Sequence, residues 1–235
     1  MRICSHELRN HLSAVLGYSD LLLAQLEDGE SVGETIAKES LCDIRIIKQA
    51  ASFMNEIIND ALDYQCILND RVKISLTNFG MTHFVKDIIK IYDGLAVKKK
   101  IAIETEIQQN LPNIRGDKIR LAQVLGNYIT NAIKFSESNT LIRISINKAR
   151  DDDMVRVAVQ DEGPGIKENE RSQLFTEFAS LSNKPTGNEL STGLGLTVVK
   201  KLIEAQNGAV GANFPKEKGS VFWFELPVEE NYNSH

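Results

Sequence analysis

The chain has 235 residues, 42% of them hydrophobic, and a formal net charge of −5. That length allows one large or two small domains, and the composition is that of an ordinary globular protein. The acidic balance leaves no basic footprint for nucleic acid, no apolar run approaches the ~20 residues of a membrane span, and Cys4, Cys42 and Cys66 form neither a metal nor a disulfide pattern.

Residues 2–27 have the periodicity of a helix. With His6 at zero and ~100° per residue, Leu8, Leu12, Val15, Leu22 and Leu26 gather on the opposite side. His6 then faces solvent, Asn10 lies one turn on, and Glu7 a quarter-turn away. An exposed imidazole titrates near ~6.5, so much of it is neutral and nucleophilic at pH 7. Glu7 can take its proton or hold its tautomer. Residues 28–33 form a polar turn, and 34–68 a second helix with a seam at Ile44/Ile47, Ala51/Met54 and Ile58/Ala61. The two helices predict an antiparallel hairpin that buries too little alone and pairs with a second copy as a four-helix bundle.

A second domain starts near Asp70. Alternation predicts strands at 72–76, 101–107, 140–147 and 154–160, and a closing hairpin over 209–226. Helices are expected at 81–98, at 118–135 with Asp117 as N-cap, near 168–175, and at 194–206. The run Lys98-Lys99-Lys100 suits a helix C-terminus. This pattern predicts an α/β two-layer sandwich after the helical hairpin.

Three constellations carry chemistry. Asn127 and Asn131 sit four apart and share one helix face, followed by Lys134 and Phe135. Val157-Ala-Val159-Gln-Asp161 is a strand ending in a carboxylate, and Gly163 and Gly165 let the backbone turn closely behind it. Thr192-Gly193-Leu194-Gly195 precedes a helix whose N-terminus favours anions, with no Gly-Lys-Ser/Thr of a Walker loop.

In that order and spacing, these motifs resemble the ATP-binding domain of sensor histidine kinases, and Ser5-His6-Glu7-Leu8-Arg9 resembles their phosphoacceptor motif. The resemblance covers nearly the whole chain. It implies residues 1–68 as a dimerisation and histidine-phosphotransfer hairpin and 69–230 as a catalytic ATP-binding domain of the GHKL (Bergerat) type. It implies ATP and Mg²⁺ as cofactors, with Asn131 coordinating the metal, Asn127 beside it, Lys134 near the phosphates, Phe135 against the purine, and Asp161 accepting from the adenine amino group. Gly163, Gly165, Thr192, Gly193, Leu194 and Gly195 would complete the nucleotide site. His6 would receive the γ-phosphoryl and pass it to an aspartate on a response regulator receiver domain, with Asn10 helping a phosphatase activity. The small domain would swing on a hinge near 67–71.

Departures from the family pattern exist. His11 stands at the usual proline position, which leaves a helix bend and the kinase–phosphatase balance open. Leu190 and Ser191 replace glycines upstream of the lid motif in 180–192. Phe175 and Phe178 either anchor the lid or pack in the core, and Lys184 either reaches phosphate or is solvated. Two alternatives stand beside the kinase: a degenerate kinase acting as a dimerising interaction module, and an ATPase of the same superfamily. The chain opens five residues before His6, so an upstream sensor region, with membrane anchorage of a longer protein, is expected, while this portion is cytoplasmic.

Overall fold

The computed structural model describes residues 12–13, 15–24, 41, 44–48, 51–52, 54–55, 58–59, 62, 73–149, 153–177, 179, 182, 185–186, 193–216 and 218–229. Met1–Leu68 belong to one compact unit, and Asn69–Glu189 with Gly193–His235 to another.

In the first unit every described residue is helical. The Lys48 ammonium donates to the Asp20 carboxylate, which ties the two helical stretches together. Both partners are exposed, so the ion pair adds little stability. Leu12 and Ala51 are buried between the stretches. Val15, Leu22, Ile47 and Met54, all on faces expected to be covered, remain between 44% and 50% exposed. The reason is geometric: a helix with a single neighbour covers only a narrow stripe of its surface.

The second unit begins with β1 (Thr77–Phe79) and α1 (Met81–Lys98), then β2 (Ala102–Ile107), β3 (Ile114–Gly116) and α2 (Lys118–Phe135). β4 (Leu141–Lys148), β5 (Met154–Gln160), a 3-10 turn (Glu168–Gln173), α3 (Gly195–Glu204), β6 (Ala209–Asn213) and β7 (Val221–Pro227) follow. Five strands form one sheet in the order β2-β4-β5-β7-β6, while β1 and β3 pair separately and antiparallel. β2 runs parallel to β4; the other pairings are antiparallel. A parallel neighbour needs a crossover, and β3 with α2 supplies it.

Period-two alternation decides which face is covered. Ile142, Ile144 and Ile146 of β4, Val155, Val157 and Val159 of β5, and Phe222, Phe224 and Leu226 of β7 are all buried. Leu121, Val124, Leu125, Tyr128 and Ile129 of α2 and Val198, Val199 and Leu202 of α3 are the buried helix residues. The alternate residues of the strands are more polar: Arg156 lies 4.1 Å over the Trp223 ring and 2.6 Å from Glu225. The unit is thus a mixed sheet with helices on one face, a two-layer α/β sandwich.

Asp117 caps α2 as expected, its Oδ1 accepting from Ile119 N–H (2.9 Å) and Arg120 N–H (3.2 Å). Of the strand expected at 72–76, the described residues 73–76 form none; regular pairing starts at Thr77. There the Ser75 N–H donates to Asp117 Oδ2 (2.8 Å), a side-chain partner taking the place of a ladder. The lysine run serves two helix ends. Lys98 closes α1, whereas the Lys99 ammonium donates to Ile133 O (2.6 Å) and Lys134 O (3.0 Å) at the end of α2. Cations satisfy the last carbonyls of a helix and oppose its dipole.

Gly219 sits at φ +89, and a Cβ there would lie 2.0 Å from the Asp161 carbonyl oxygen. Both contact atoms are backbone, so neither can move aside. Gly219→Ala is expected to cost on the order of 2–4 kcal/mol, read as a lower urea midpoint with unchanged slope.

Candidate nucleotide-binding site

A cleft of about 490 Å³, partly open to solvent, lies in the second unit. Phe135, Ile166, Leu174, Leu196 and Phe222 give it apolar walls, and Asn131, Asp161 and Ser220 its polar groups. Apolar walls with a few convergent polar groups suit a flat, mostly apolar ring carrying a hydrogen-bonding edge.

Asp161 is 5% exposed and follows the last residue of β5. Its Oδ1 accepts from Gly163 N–H (2.8 Å) and Ser220 N–H (3.1 Å). Its own N–H donates to Ser220 O (2.9 Å). Both bonds to the carboxylate fall on Oδ1, so Oδ2 keeps its acceptor capacity. Burial pushes the carboxyl above the usual carboxylate range, against the opposing pull of the two backbone N–H groups.

On α2, Asn131 Nδ2 donates to Asn127 Oδ1 (3.0 Å). That bond spends the oxygen of Asn127 and leaves the oxygen of Asn131, the residue that lines the cleft. Asn127 instead meets the start of α3: a Cβ on Gly195 would lie 2.3 Å from its Nδ2. Glycine at 195 is therefore what lets α3 approach the amide pair. Gly193 sits at φ +69, Leu194 is buried as the N-cap of α3, and Leu196 lines the cleft. At that same end, Thr197 Oγ1 donates to Thr176 O (2.9 Å), fastening α3 to the segment that carries Leu174.

The fold brings together Asn127, Asn131, Phe135, Asp161, Gly163, Gly165 and Gly195 around or directly beneath this cleft. Lys134 does not line it; its carbonyl accepts from Lys99 and from Thr186 N–H (3.1 Å). Of the aromatic pair in the sequence, Phe175 is half-buried outside the lining, and neighbouring Leu174 takes the wall position. His6, Glu7, Asn10, His11, Phe178, Lys184, Leu190, Ser191 and Thr192 lie outside the described residues.

Ser220 and Phe222 escaped the sequence reading. They belong to β7 and the residue before it, and β5–β7 pairing alone sets them beside Asp161 and Val159. The available signal was the Lys218-Gly219-Ser220 turn ahead of an apolar strand, which is common in any hairpin.

The donor set can be tested for a divalent cation. Among the described residues no group of three His, Cys, Asp or Glu could hold a metal. One amide oxygen on a cleft wall still fits Mg²⁺, which keeps several waters and shares the oxygens of phosphates. No described helix is long and apolar enough to cross a membrane.

Residues 116–230 match the family described as histidine kinase-, DNA gyrase B-, and HSP90-like ATPase. The chain is 30% identical over 228 residues to the sensory/regulatory protein RpfC of Xanthomonas campestris pv. campestris, covering 95% of this chain and 30% of that protein. It spans under a third of the length of such curated relatives. Among solved structures it resembles full-length ShkA in complex with AMPPNP, with TM-score 0.73 and 28% identity, over 97% of this chain and 45% of that one. It also resembles the histidine kinase ThkA in complex with response regulator protein TrrA, with TM-score 0.64 and 25% identity, over 97% of this chain and 60% of that one. Apolar walls around a buried carboxylate, beside an amide pair that touches a glycine-led helix, agree with these matches: residues 116–230 belong with the histidine kinase-, DNA gyrase B-, and HSP90-like ATPases, and the chain as a whole is similar to sensor histidine kinases.

Proposed function

We propose that this chain is the catalytic core of a sensor histidine kinase, one that binds Mg²⁺·ATP in the cleft of its second unit and phosphorylates its own His6. The observation that carries the reading is Asp161: a buried carboxylate with both protein hydrogen bonds on Oδ1, facing an apolar cleft. Its Oδ2 suits the exocyclic amino group of adenine, while Phe135, Leu174 and Phe222 suit the ring faces.

Asn131 would hold Mg²⁺ through Oδ1, its orientation set by the Nδ2 bond to Asn127. When bound, the cation neutralises charge on the phosphates. The N-terminus of α3 offers further backbone N–H groups to them. A neutral imidazole nitrogen of His6 attacks the γ-phosphorus. The N–P bond forms as the bond to the bridging oxygen of ADP breaks, and Glu7 takes the imidazole proton. The phosphoryl then passes to an aspartate on a response regulator receiver domain, a partner supported by the likeness to ThkA bound to TrrA. Asn10 would orient water for a separate phosphatase activity, in which water attacks the aspartyl phosphate of the regulator and inorganic phosphate leaves. The exposed apolar residues of the hairpin, Val15, Leu22, Ile47 and Met54 among them, support a homodimer through a four-helix bundle.

The test is incubation with γ-labelled ATP and Mg²⁺. Acid-labile, base-stable label on the protein is expected, and none once EDTA removes the metal. Released phosphate without any protein label would favour the superfamily ATPase instead. ATP binding with neither label nor turnover would favour the dimerising interaction module.

A further inference from the structure

We propose that Gln206 and Asp117 form a positioning joint that sets the spacing of α2 and α3, and with it the affinity of the cleft for nucleotide. The inference rests on the nucleotide reading of that cleft.

Gln206 follows α3 and is 1% exposed. Its Nε2 donates to Leu202 O (2.8 Å), back onto its own helix. Its Oε1 accepts from the Asp117 N–H (2.7 Å), at the start of α2. Asp117, 5% exposed, has both carboxylate oxygens engaged: Oδ1 by the α2 amides, Oδ2 by the Ser75 N–H. Three segments far apart in sequence therefore meet at one buried polar cluster: the described start of the unit, the head of α2 and the tail of α3.

The same two helices meet again beside the cleft, at the middle of α2 and the start of α3. Asn127 lies ten residues beyond Asp117 along α2, and Leu196 ten residues before Gln206 along α3, roughly 15 Å in each case. There the helices touch again, Gly195 against the Asn127 amide. Two rigid helices pinned at two places about 15 Å apart keep a constant separation. Release the joint and α3 can shift against α2 on its apolar face, so Asn127 and Leu196 lose their register. Buried amide and carboxylate bonds suit this role because their geometry is directional, which apolar contacts lack. Through Ser75, the incoming chain is fastened to the same joint.

Gln206→Met keeps the length of the side chain and removes both of its hydrogen bonds. Gln206→Glu keeps an Oε1 acceptor for the Asp117 N–H and removes the donor to Leu202 O. The full chain is titrated with Mg²⁺·ATP by calorimetry, well below each variant's melting temperature. Gln206→Met is expected to raise Kd about fivefold or more at unchanged stoichiometry, the scale of one lost hydrogen bond. Gln206→Glu is expected to raise it as well. Ile146→Val, a core change on β4 outside the joint, lowers the melting temperature and leaves Kd alone. Variants that melt earlier yet bind like wild type would overturn the proposal, and Gln206→Glu decides it alone if Gln206→Met does not fold. A wild-type chain that fails to bind ATP would instead sink the nucleotide reading on which the joint rests.

Discussion

Replacing His6 with glutamine is expected to remove all phosphoryl label from the chain while leaving Mg²⁺·ATP affinity unchanged. Glutamine keeps length and polarity but has no nucleophilic ring nitrogen, so the N–P bond cannot form. His6 and the cleft residues fall in different compact units, so the substitution leaves the walls of the cleft intact. Two measurements are paired: label after acid or base treatment, and the calorimetric Kd. Label that survives in His6→Gln would move the acceptor elsewhere, with His11 the first candidate. An unlabelled wild-type chain that still binds ATP would point to the interaction module. Under the kinase reading the loss is complete, because the substitution removes the acceptor nitrogen itself.

Asp161→Asn is expected to separate binding from stability. The amide oxygen can still accept from Gly163 and Ser220, which places an NH₂ where Oδ2 faces the cleft. Two donors then oppose each other across the adenine amino group, and Kd rises on the order of 10–100-fold. Stability goes the other way. Burial raises the Asp161 carboxyl above its ordinary value, so ionisation works against the folded state. The contribution of the protonated form is fully present below the unfolded pKa and is lost as pH rises through the folded one. Wherever the carboxyl is ionised it is therefore a burden, and there the asparagine variant should melt at the same temperature or higher. The difference should shrink as the pH falls into the range where wild type protonates. Over that same range wild-type ATP affinity should fall, at a pH above that of an ordinary carboxylate near ~4. A variant that melts several degrees lower with intact affinity would mean that Asp161 is structural and not part of base recognition. Sites that work at the expense of stability are common, and this is a compact instance.

Much of the architecture was legible before any coordinates, and particular residues explain why. The boundaries of α1, α2 and β5 follow directly from local signals: Asp117 caps, Ser136 stops, and Val155/Val157/Val159 alternate. Where the signal was weaker, the reading slipped. Val72, Ile74 and Leu76 alternate, yet the described residues 73–76 make no strand, because Asp117 takes the Ser75 amide that a ladder would have used. β3 has three residues, too few for any period to show. The lysines at 98–100 were read as one helix end, but Lys99 reaches across to the carbonyls of another helix.

The site divides the same way. Asn127 and Asn131 share a face because four residues make about one helical turn, and Asp161 ends a strand because a Gly-rich turn follows it; both are local facts, available from the chain alone. Which oxygen of which asparagine stays open, that Ser220 and Phe222 join the cleft, that Leu174 lines it while Phe175 does not, and that Gln206 holds α3 to α2 were decided only by tertiary structure. Each depends on a contact between residues dozens of positions apart, and such contacts are set by sheet order and helix packing, which leave no period in a sequence.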